Sequence, residues 1–407
     1  MLQDETLVCL SSSPWDTGLP SACHYLMQEF ARAGNRVLFV DRALSVKDLV
    51  VVEREADEWL RARIARTAGT VPRLRRVGEL YALTPPPVLS IGMLPPGLIH
   101  DTVNRLNAAL LRRCVSEALR DLGWHADIVW AGLDLPGANA LAGRLGERLL
   151  VYHCFAEPPG LGCEARQGTR QESRLISRAD VVFATSSALL RHKRSLAAEI
   201  GSGVVVAYLP DGVDHCRLAR ALAPDTPVPA ALAGLPHPVA GYLGTIEDRL
   251  DFHLLETAAG ALSEGTLVVA GPASGRQAER LRILATLPNV VILGPVDPAA
   301  APGVLKAFDI GLVPFSKTVA ASFAYPLEVN EYLAAGLPVV ASDFADLGDM
   351  APHVRVAASS QAFAAALRDA ATPSGPGKRL ERSRFAAGNS WRRRAEAASE
   401  VLQTMVK

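Results

Sequence analysis

Residues 309–342, DIGLVPFSKTVAASFAYPLEVNEYLAAGLPVVAS, constrain the fold more than any other stretch of the chain. Two apolar runs of strand length, 310–315 and 337–341, bracket a loop and a helical stretch, 326–335. Pro338 opens the second run, where a missing ladder N–H is tolerated. Pro326 suits the first helical turn, and Gly336 suits the left-handed residue that stops a helix. Strands joined through a helix pair in parallel, and parallel sheets bind ligands beyond the carboxyl ends of their strands. The loop 316–325 therefore opens a site at a helix N-terminus, where free N–H groups and the helix dipole suit a phosphate. Glu331, one turn into the helix, is placed to accept hydrogen bonds from sugar hydroxyls. The combination points to a nucleotide or a nucleotide sugar.

The same alternation recurs along the 407 residues. Strands are expected at 7–10, 36–40, 127–130, 149–152, 181–184 and 204–209, with helices at 21–33, 105–122, 171–177 and 187–198. An Ala- and Pro-rich stretch, 221–238, reads as an interdomain connection. Beyond it, strands are expected at 239–243, 267–270, 290–293, 310–315 and 337–341. The helices expected there are 252–261, 277–286, 302–307, 326–335 and 361–371. A Gly/Pro break at 374–377 precedes a last helix, 390–406. This pattern predicts an α/β protein of two Rossmann-like domains, 1–220 and 236–380, facing each other across a cleft. The last helix, within 390–407, is expected to pack back on the first domain.

Charge and composition remove several alternatives. The net charge of +0 argues against a dedicated nucleic-acid binder, which depends on neutralising phosphates. With 49% hydrophobic residues the chain can bury sizeable cores, yet no run of ~18 apolar residues marks a spanning helix. The acidic start, MLQDE, lacks the cationic region of a signal peptide. A cytoplasmic setting follows, with the inner membrane face as its alternative. Six cysteines form no CxxC pair, and no His/Cys cluster has metal-ligand spacing, so reduced core thiols and no resident metal are expected. GxGxxG is absent after the strand 239–243, which speaks against a dinucleotide-dependent oxidoreductase.

Seven segments, taken together, resemble the GT-B glycosyltransferases, close to glycosyltransferase family four and its teichuronic-acid-type branch. They are SSPWDTGLPSACHYLMQEFARAGNRVLFVD, ADVVFATSSALL, LPDGVD, GYLGTIEDRLDFHLL, LPNVVILGPV, FDIGLVPF and EYLAAGLPVVAS. The resemblance implies a nucleoside diphosphate sugar, UDP- or GDP-type, held mainly by the C-terminal half. The acceptor, a saccharide, a lipid-linked sugar or a small molecule, would lie mainly on the N-terminal half. It also implies retention of anomeric configuration and no bound metal or other cofactor.

Carried over residue by residue, Glu331 matches the family glutamate that bonds the ribose. Gly244 and Thr245 end a strand, where small residues let a sugar phosphate approach the backbone. Ser322, Phe323, Ala324 and Tyr325 belong to the loop that would line the donor. Two positions depart from the family. Glu328 stands where many members carry a lysine, and a carboxylate facing a diphosphate is repelled by several kcal/mol in a partly dry site. Glu328 is therefore expected to point elsewhere, or to mark an altered site. No glutamate stands near Phe323, where the family's donor-sugar contact is found. Arg249 or Lys317 would supply positive charge instead.

In the N-terminal half, the loop 11–21 carries Trp15, Asp16, Thr17 and Gly18 beyond a strand end. Asp16 is a candidate to bond an acceptor hydroxyl or act as base, with helix capping as the alternative. His153, expected just past the strand 149–152, and Glu157 in the next loop are candidates to orient a sugar or take the acceptor proton. Asp134 is a further candidate of this kind. The basic residues of 61–76 are interleaved with Leu60, Ile64, Val71 and Leu74, which leaves peripheral membrane contact through 60–76 open beside a solvated face. A catalytically degenerate scaffold and a nucleotide-sugar epimerase stay open beside the transferase.

Overall fold

The computed structural model describes residues 1–16, 20–46, 48, 58–90, 98–157, 163–273, 275–373 and 375–405. It divides into two compact units, Met1–Pro210 with Arg394–Lys407, and Asp211–Arg393. Among the described residues no helix is long and apolar enough to cross a membrane.

The first unit is built on an eight-stranded sheet. Its strands are β1 (Thr6–Leu10), β2 (Arg36–Val40), β3 (Leu74–Val77), β4 (Leu80–Leu83), β5 (Ile128–Ala131), β6 (Leu149–Cys154), β7 (Val181–Ala184) and β8 (Val205–Tyr208). They lie in the order β3-β4-β2-β1-β5-β6-β7-β8. Every neighbouring pair is parallel except the hairpin β3–β4. β1, β5, β6 and β7 are buried along their whole length, which is why each reads as an unbroken apolar run. The helix Ala22–Arg32 buries Cys23, Leu26, Met27, Phe30 and Ala31, a single stripe at helical spacing. Ser399, in the last helix Trp391–Met405, accepts a hydrogen bond from Leu2 N–H at 3.0 Å, tying both chain ends to this unit.

The second unit holds β9 (Val239–Leu243), β10 (Thr266–Ala270), β11 (Val290–Gly294), β12 (Ile310–Val313), β13 (Val339–Ser342) and β14 (Val354–Ala357). The order is β11-β10-β9-β12-β13-β14, parallel throughout. Residues 221–238, expected to connect the domains, belong inside this unit. Ala221 and Leu232 are buried in its core. Lys306 Nζ donates to the carbonyls of Ala223, Pro224 and Thr226 at 2.7–2.9 Å, clamping the segment against the helix Ala301–Lys306.

β3 and β14 were not anticipated because Arg75, Arg76 and Arg355 interrupt them, nor was the largely charged helix Pro376–Gly388. The apolar strand β4, LYAL, and the helix Leu135–Leu141 also went unanticipated. The basic stretch 61–76 spans a helix and a strand. The helix Glu58–Ala68 stops before β3; Arg63 is buried and Arg66 partly buried, while Arg61 is exposed. Arg63 donates to Arg42 O at 2.7 Å, and Arg73 to Arg66 O and Thr67 O at 3.2 Å. Cys9, Cys23 and Cys154 are buried free thiols, whereas Cys216 is exposed.

Candidate functional site

The strand order of the second unit reverses between β9 and β12, so the loops leaving their carboxyl ends diverge and open a crevice. Gly244 lies at the end of β9, and Gly271, at the end of the neighbouring β10, packs against it. A Cβ on Gly271, at φ +144°, would lie 1.9 Å from Gly244 O, and one on Gly244 would lie 2.8 Å from the Tyr242 hydroxyl. The ends of β9 and β10 thus approach as only glycines permit. Gly271 went unnoticed in the sequence, although it directly follows the apolar run of β10. Tyr242 Oη donates to Thr245 O at 2.9 Å, and Leu243 N–H donates to the buried Tyr332 hydroxyl at 2.9 Å.

The loops after β9 and β12 are joined. Ser316 N–H donates to Arg249 O at 2.7 Å, Asp251 N–H donates to Pro314 O at 2.8 Å, and Leu250 bridges Phe315. Arg249 is consequently held over the Phe315 ring, 4.7 Å from its centroid. Its guanidinium lies 2.8 Å from Glu247 and 3.3 Å from Glu328. Burial lowers the arginine's pKa, but the carboxylates and Tyr242 outweigh it and leave the charge more firmly held than usual.

Glu328 does not point away from the crevice. It is buried in the first turn of the helix Leu327–Ala334, with a carboxylate oxygen 3.4 Å from where a Gly244 Cβ would be. It takes Arg249 as its partner, which is the physical reason a carboxylate is tolerated where a lysine was expected. The cation offered by the sequence for a diphosphate is therefore already matched by two carboxylates.

Pro326 is the N-cap of this helix rather than part of its first turn, and Gly336, at φ +77°, stops it as expected. In the loop before it, Thr318 caps the short helix Val319–Ser322 through Ala321 N–H at 3.1 Å. Lys317 pairs with Asp343 at 2.8 Å on the surface. Ser322 Oγ donates to Val319 O, and Tyr325 is buried with its hydroxyl accepting from Asn330 at 2.7 Å. Phe323 and Ala324 are partly buried. Glu331 is partly buried one turn into the helix. Burial, then Glu328, raise its pKa from 4.5 to about 7, while Arg217 opposes them. Arg217 and Asp214 come from the LPDGVD segment and the helix His215–Leu218, where Asp214 is the N-cap. Among the described residues no hydrogen bond satisfies the Glu331 carboxylate, which leaves it able to accept from a ligand.

In the first unit the order reverses between β1 and β5. The loop leaving β1 is pinned from below. Trp15 N–H donates to Asp41 Oδ1 at 2.7 Å, and Asp41 Oδ2 accepts from Thr84 at 2.7 Å. Asp41, at the end of β2, is buried, and burial raises its pKa. Neither it nor His24 was anticipated. His24 sits between Trp15 and Phe39, its Nδ1 accepting from Ser21 N–H at 3.0 Å. That bond leaves the proton on Nε2, which donates to Pro14 O at 2.9 Å. Histidine here takes the place usually held by Glu or Gln in a capping box, so the motif is hidden in sequence. Thr17 and Gly18 lie outside the described residues.

Asp16 caps no helix. It accepts from Arg66 at 2.7 Å and Arg75 at 2.8 Å, consuming two of the basic groups of 61–76. His153 lies on β6 itself, not beyond it, because the strand runs on to Cys154. It is 1% exposed against Trp130 and Phe155, and among the described residues neither ring nitrogen has a hydrogen-bond partner. Glu157 pairs with Lys193 at 2.7 Å, and the fully buried Lys193 also pairs with Glu172 at 2.9 Å. Tyr152 Oη donates to Glu172 at 2.7 Å and completes the network. Asp134 is the N-cap of the helix Leu135–Leu141, accepting from Gly137 N–H. A cavity of about 480 Å³ between the helix Ala22–Arg32 and the β3–β4 hairpin is lined by Trp15, Gln28, Arg32 and Glu79 among others, and none of Asp16, Asp134, His153 and Glu157 lines it.

Residues 237–372 match the family Glycosyl transferases group 1. TuaH of Bacillus subtilis, provisionally named a teichuronic acid biosynthesis glycosyltransferase, is 31% identical over 180 residues. That match covers 44% of this chain and 44% of TuaH, so the two are alike over less than half their lengths. Among solved structures, an E. coli trehalose-6-phosphate protein bound with UDP-2-fluoro glucose superposes with a TM-score of 0.67 at 14% identity, covering 98% of this chain and 99% of that one. HepE of Anabaena in complex with UDP superposes with a TM-score of 0.62 at 16% identity, covering 98% and 100%.

Proposed function

We propose that this chain, a GT-B protein whose residues 237–372 are a group 1 glycosyl transferase domain, moves a sugar from a nucleoside diphosphate sugar to an acceptor hydroxyl. The observation that carries the reading is Glu331. Among the described residues its carboxylate has no hydrogen-bond partner, and it stands one turn into the helix that follows the β12 loop. Ribose hydroxyls would donate to Glu331, while the diphosphate would meet Thr245 and the start of the helix Leu327–Ala334. Two structural neighbours were solved with uridine diphosphate species, which supports a UDP-type donor.

In the reaction the bond from the anomeric carbon to the diphosphate breaks as one to the acceptor oxygen forms. The acceptor proton leaves to a base or to the departing diphosphate. Preorganised N–H donors stabilise the leaving charge, each worth about 3 kcal/mol of barrier. The first unit is the proposed acceptor side. Asp16 and Glu157, both held in ion pairs, suit orienting an acceptor better than taking its proton, and His153 is enclosed. Retention and metal independence are carried over from the family resemblance and are tested by product stereochemistry and by chelator addition. Peripheral membrane contact through 60–76 draws little support, since Arg63, Arg66, Arg73 and Arg75 are bonded internally.

A second reading is favoured by one observation. Arg249 is matched by Glu247 and Glu328 before any diphosphate arrives, as in a scaffold that has lost its donor. Calorimetric titration with UDP, GDP and ADP separates the two. The transferase reading expects micromolar to submillimolar binding of one nucleotide, weakened in Glu331→Ala. Absence of binding at millimolar nucleotide overturns it in favour of the scaffold.

A further inference from the structure

One buried residue joins the two segments whose charges act on Glu331, the helix Leu327–Ala334 and the stretch that carries Asp214 and Arg217. Asn389, 5% exposed, is the C-cap of the helix Pro376–Gly388. Its carbonyl accepts from Val213 N–H at 3.0 Å, next to Asp214, and Ser390 bridges Val213 as in a parallel ladder. Its side-chain Nδ2 donates to Asn330 Oδ1 on the helix Leu327–Ala334 at 3.0 Å. Asn330 is fully buried and donates from its own Nδ2 to Tyr325 Oη at 2.7 Å. Tyr325 ends the loop that enters this helix, directly before the N-cap Pro326. The helix Pro376–Gly388 repeats both ties. Ser383 Oγ lies 3.0 Å from His215 Nε2, and Arg382 donates to Gly336 O at 3.1 Å. An amide side chain has a donor end and an acceptor end. With Asn330 Oδ1 taken by Asn389, its Nδ2 is the end that faces Tyr325. Asn389 thereby fixes which way Asn330 is turned, and with it the bond to the loop. Buried amides left unpaired are costly, so the relay forms as a whole.

We propose that Asn389 and Asn330 are positioning residues for the nucleotide. They hold the loop end at Tyr325 on the helix that presents Glu331, so that the first N–H groups of the helix and the carboxylate meet one ligand together. Neither asparagine touches the nucleotide in this reading; both act through Tyr325 and the helix start. The inference rests on the transferase reading and deepens its donor site.

The experiment is calorimetric titration of the full chain with whichever of UDP, GDP and ADP the wild type binds. The variants are Tyr325→Phe, Asn389→Ala and the two combined. Each single change removes one hydrogen bond of the relay and is expected to weaken binding about fivefold. Because the relay acts as a unit, the double variant should also lose about fivefold, not the roughly 25-fold of independent sites. Lys306→Met, which releases 223–226 elsewhere in the same unit, is the control and should lower stability with affinity unchanged. Unchanged affinity in both single variants, additive losses, or an equal loss in Lys306→Met overturns the proposal while leaving the donor site in place. Absence of nucleotide binding by the wild type overturns the transferase reading and this proposal with it. Should Asn389→Ala not fold, Tyr325→Phe decides alone, and unchanged affinity there overturns the relay.

Discussion

Replacing Glu331 by glutamine separates the two consequences of its carboxylate. Burial and the neighbouring Glu328 move its titration from 4.5 to about 7. Since the folded value lies above the unfolded one, the native state favours the neutral acid. That stabilisation is complete below about pH 4.5 and is lost as pH rises through about 7. The full shift corresponds to about 3 kcal/mol. Solvent reaching the partly open carboxyl screens this to about 1–2 kcal/mol. Glutamine keeps the shape without the charge. Glu331→Gln is therefore expected to match wild type in stability at pH 4.5 and to exceed it at pH 8, with a Tm higher by about 3–6 °C. Nucleotide binding should move the opposite way. Hydroxyls donating to an ionised carboxylate contribute about 1.5–3 kcal/mol, so the variant binds UDP about 10–100-fold more weakly at pH 8. In wild type, UDP binding strengthens as pH rises through about 7 and releases a proton, read by calorimetry in two buffers of different ionisation enthalpy. Equal melting at pH 8 together with equal UDP affinity would refute the reasoning, since the carboxylate would then be neither a buried charge nor a ribose acceptor.

Three further outcomes are expected. Arg249→Met alone strands the buried Glu328 and costs about 3–5 kcal/mol by urea denaturation. Arg249→Met/Glu328→Leu should recover most of that, and a strictly additive pair would show that no coupling exists. Gly271→Ala places a Cβ 1.9 Å from Gly244 O and should lower stability by more than about 3 kcal/mol, with Gly260→Ala, which meets nothing within 4 Å, as the control. His24 contributes as the neutral tautomer, and burial lowers its pKa below 6.5. Its stabilisation is present above about pH 6.5 and is lost as pH falls through the lower folded value. His24→Gln should flatten that part of the pH–stability profile, and an unchanged slope would discard the assignment.

Most regular elements were legible because the sheets are parallel and covered. Strands buried on both faces need continuous apolar runs, so 181–184 and 239–243 were placed to the residue. Two edge strands carry no such run: β3 as LRRV and β14 as VRVA face solvent in part and stayed hidden, whereas the edge strands β8 and β11 kept apolar runs and were expected. The Ala/Pro-rich stretch 221–238 was mistaken for a linker because its fixing contact, the Lys306 ammonium on three carbonyls, comes from about eighty residues away.

Local chemistry sufficed to place the strand end at Gly244 and the helix stop at Gly336, since each depends on backbone conformation. Strand order lies beyond such reasoning. Only pairing across the sheet sets β9 beside β12 and so brings Arg249 to Glu328, closing a charge that the sequence offered as free. The same holds for Asp16 between two arginines and for His153 within a strand instead of beyond it. Periodicity and composition determine which segments are strands and helices, because burial of each face is a local demand. Which charges meet is decided by long-range packing, because an ion pair or a crevice needs two segments that neighbour only in three dimensions.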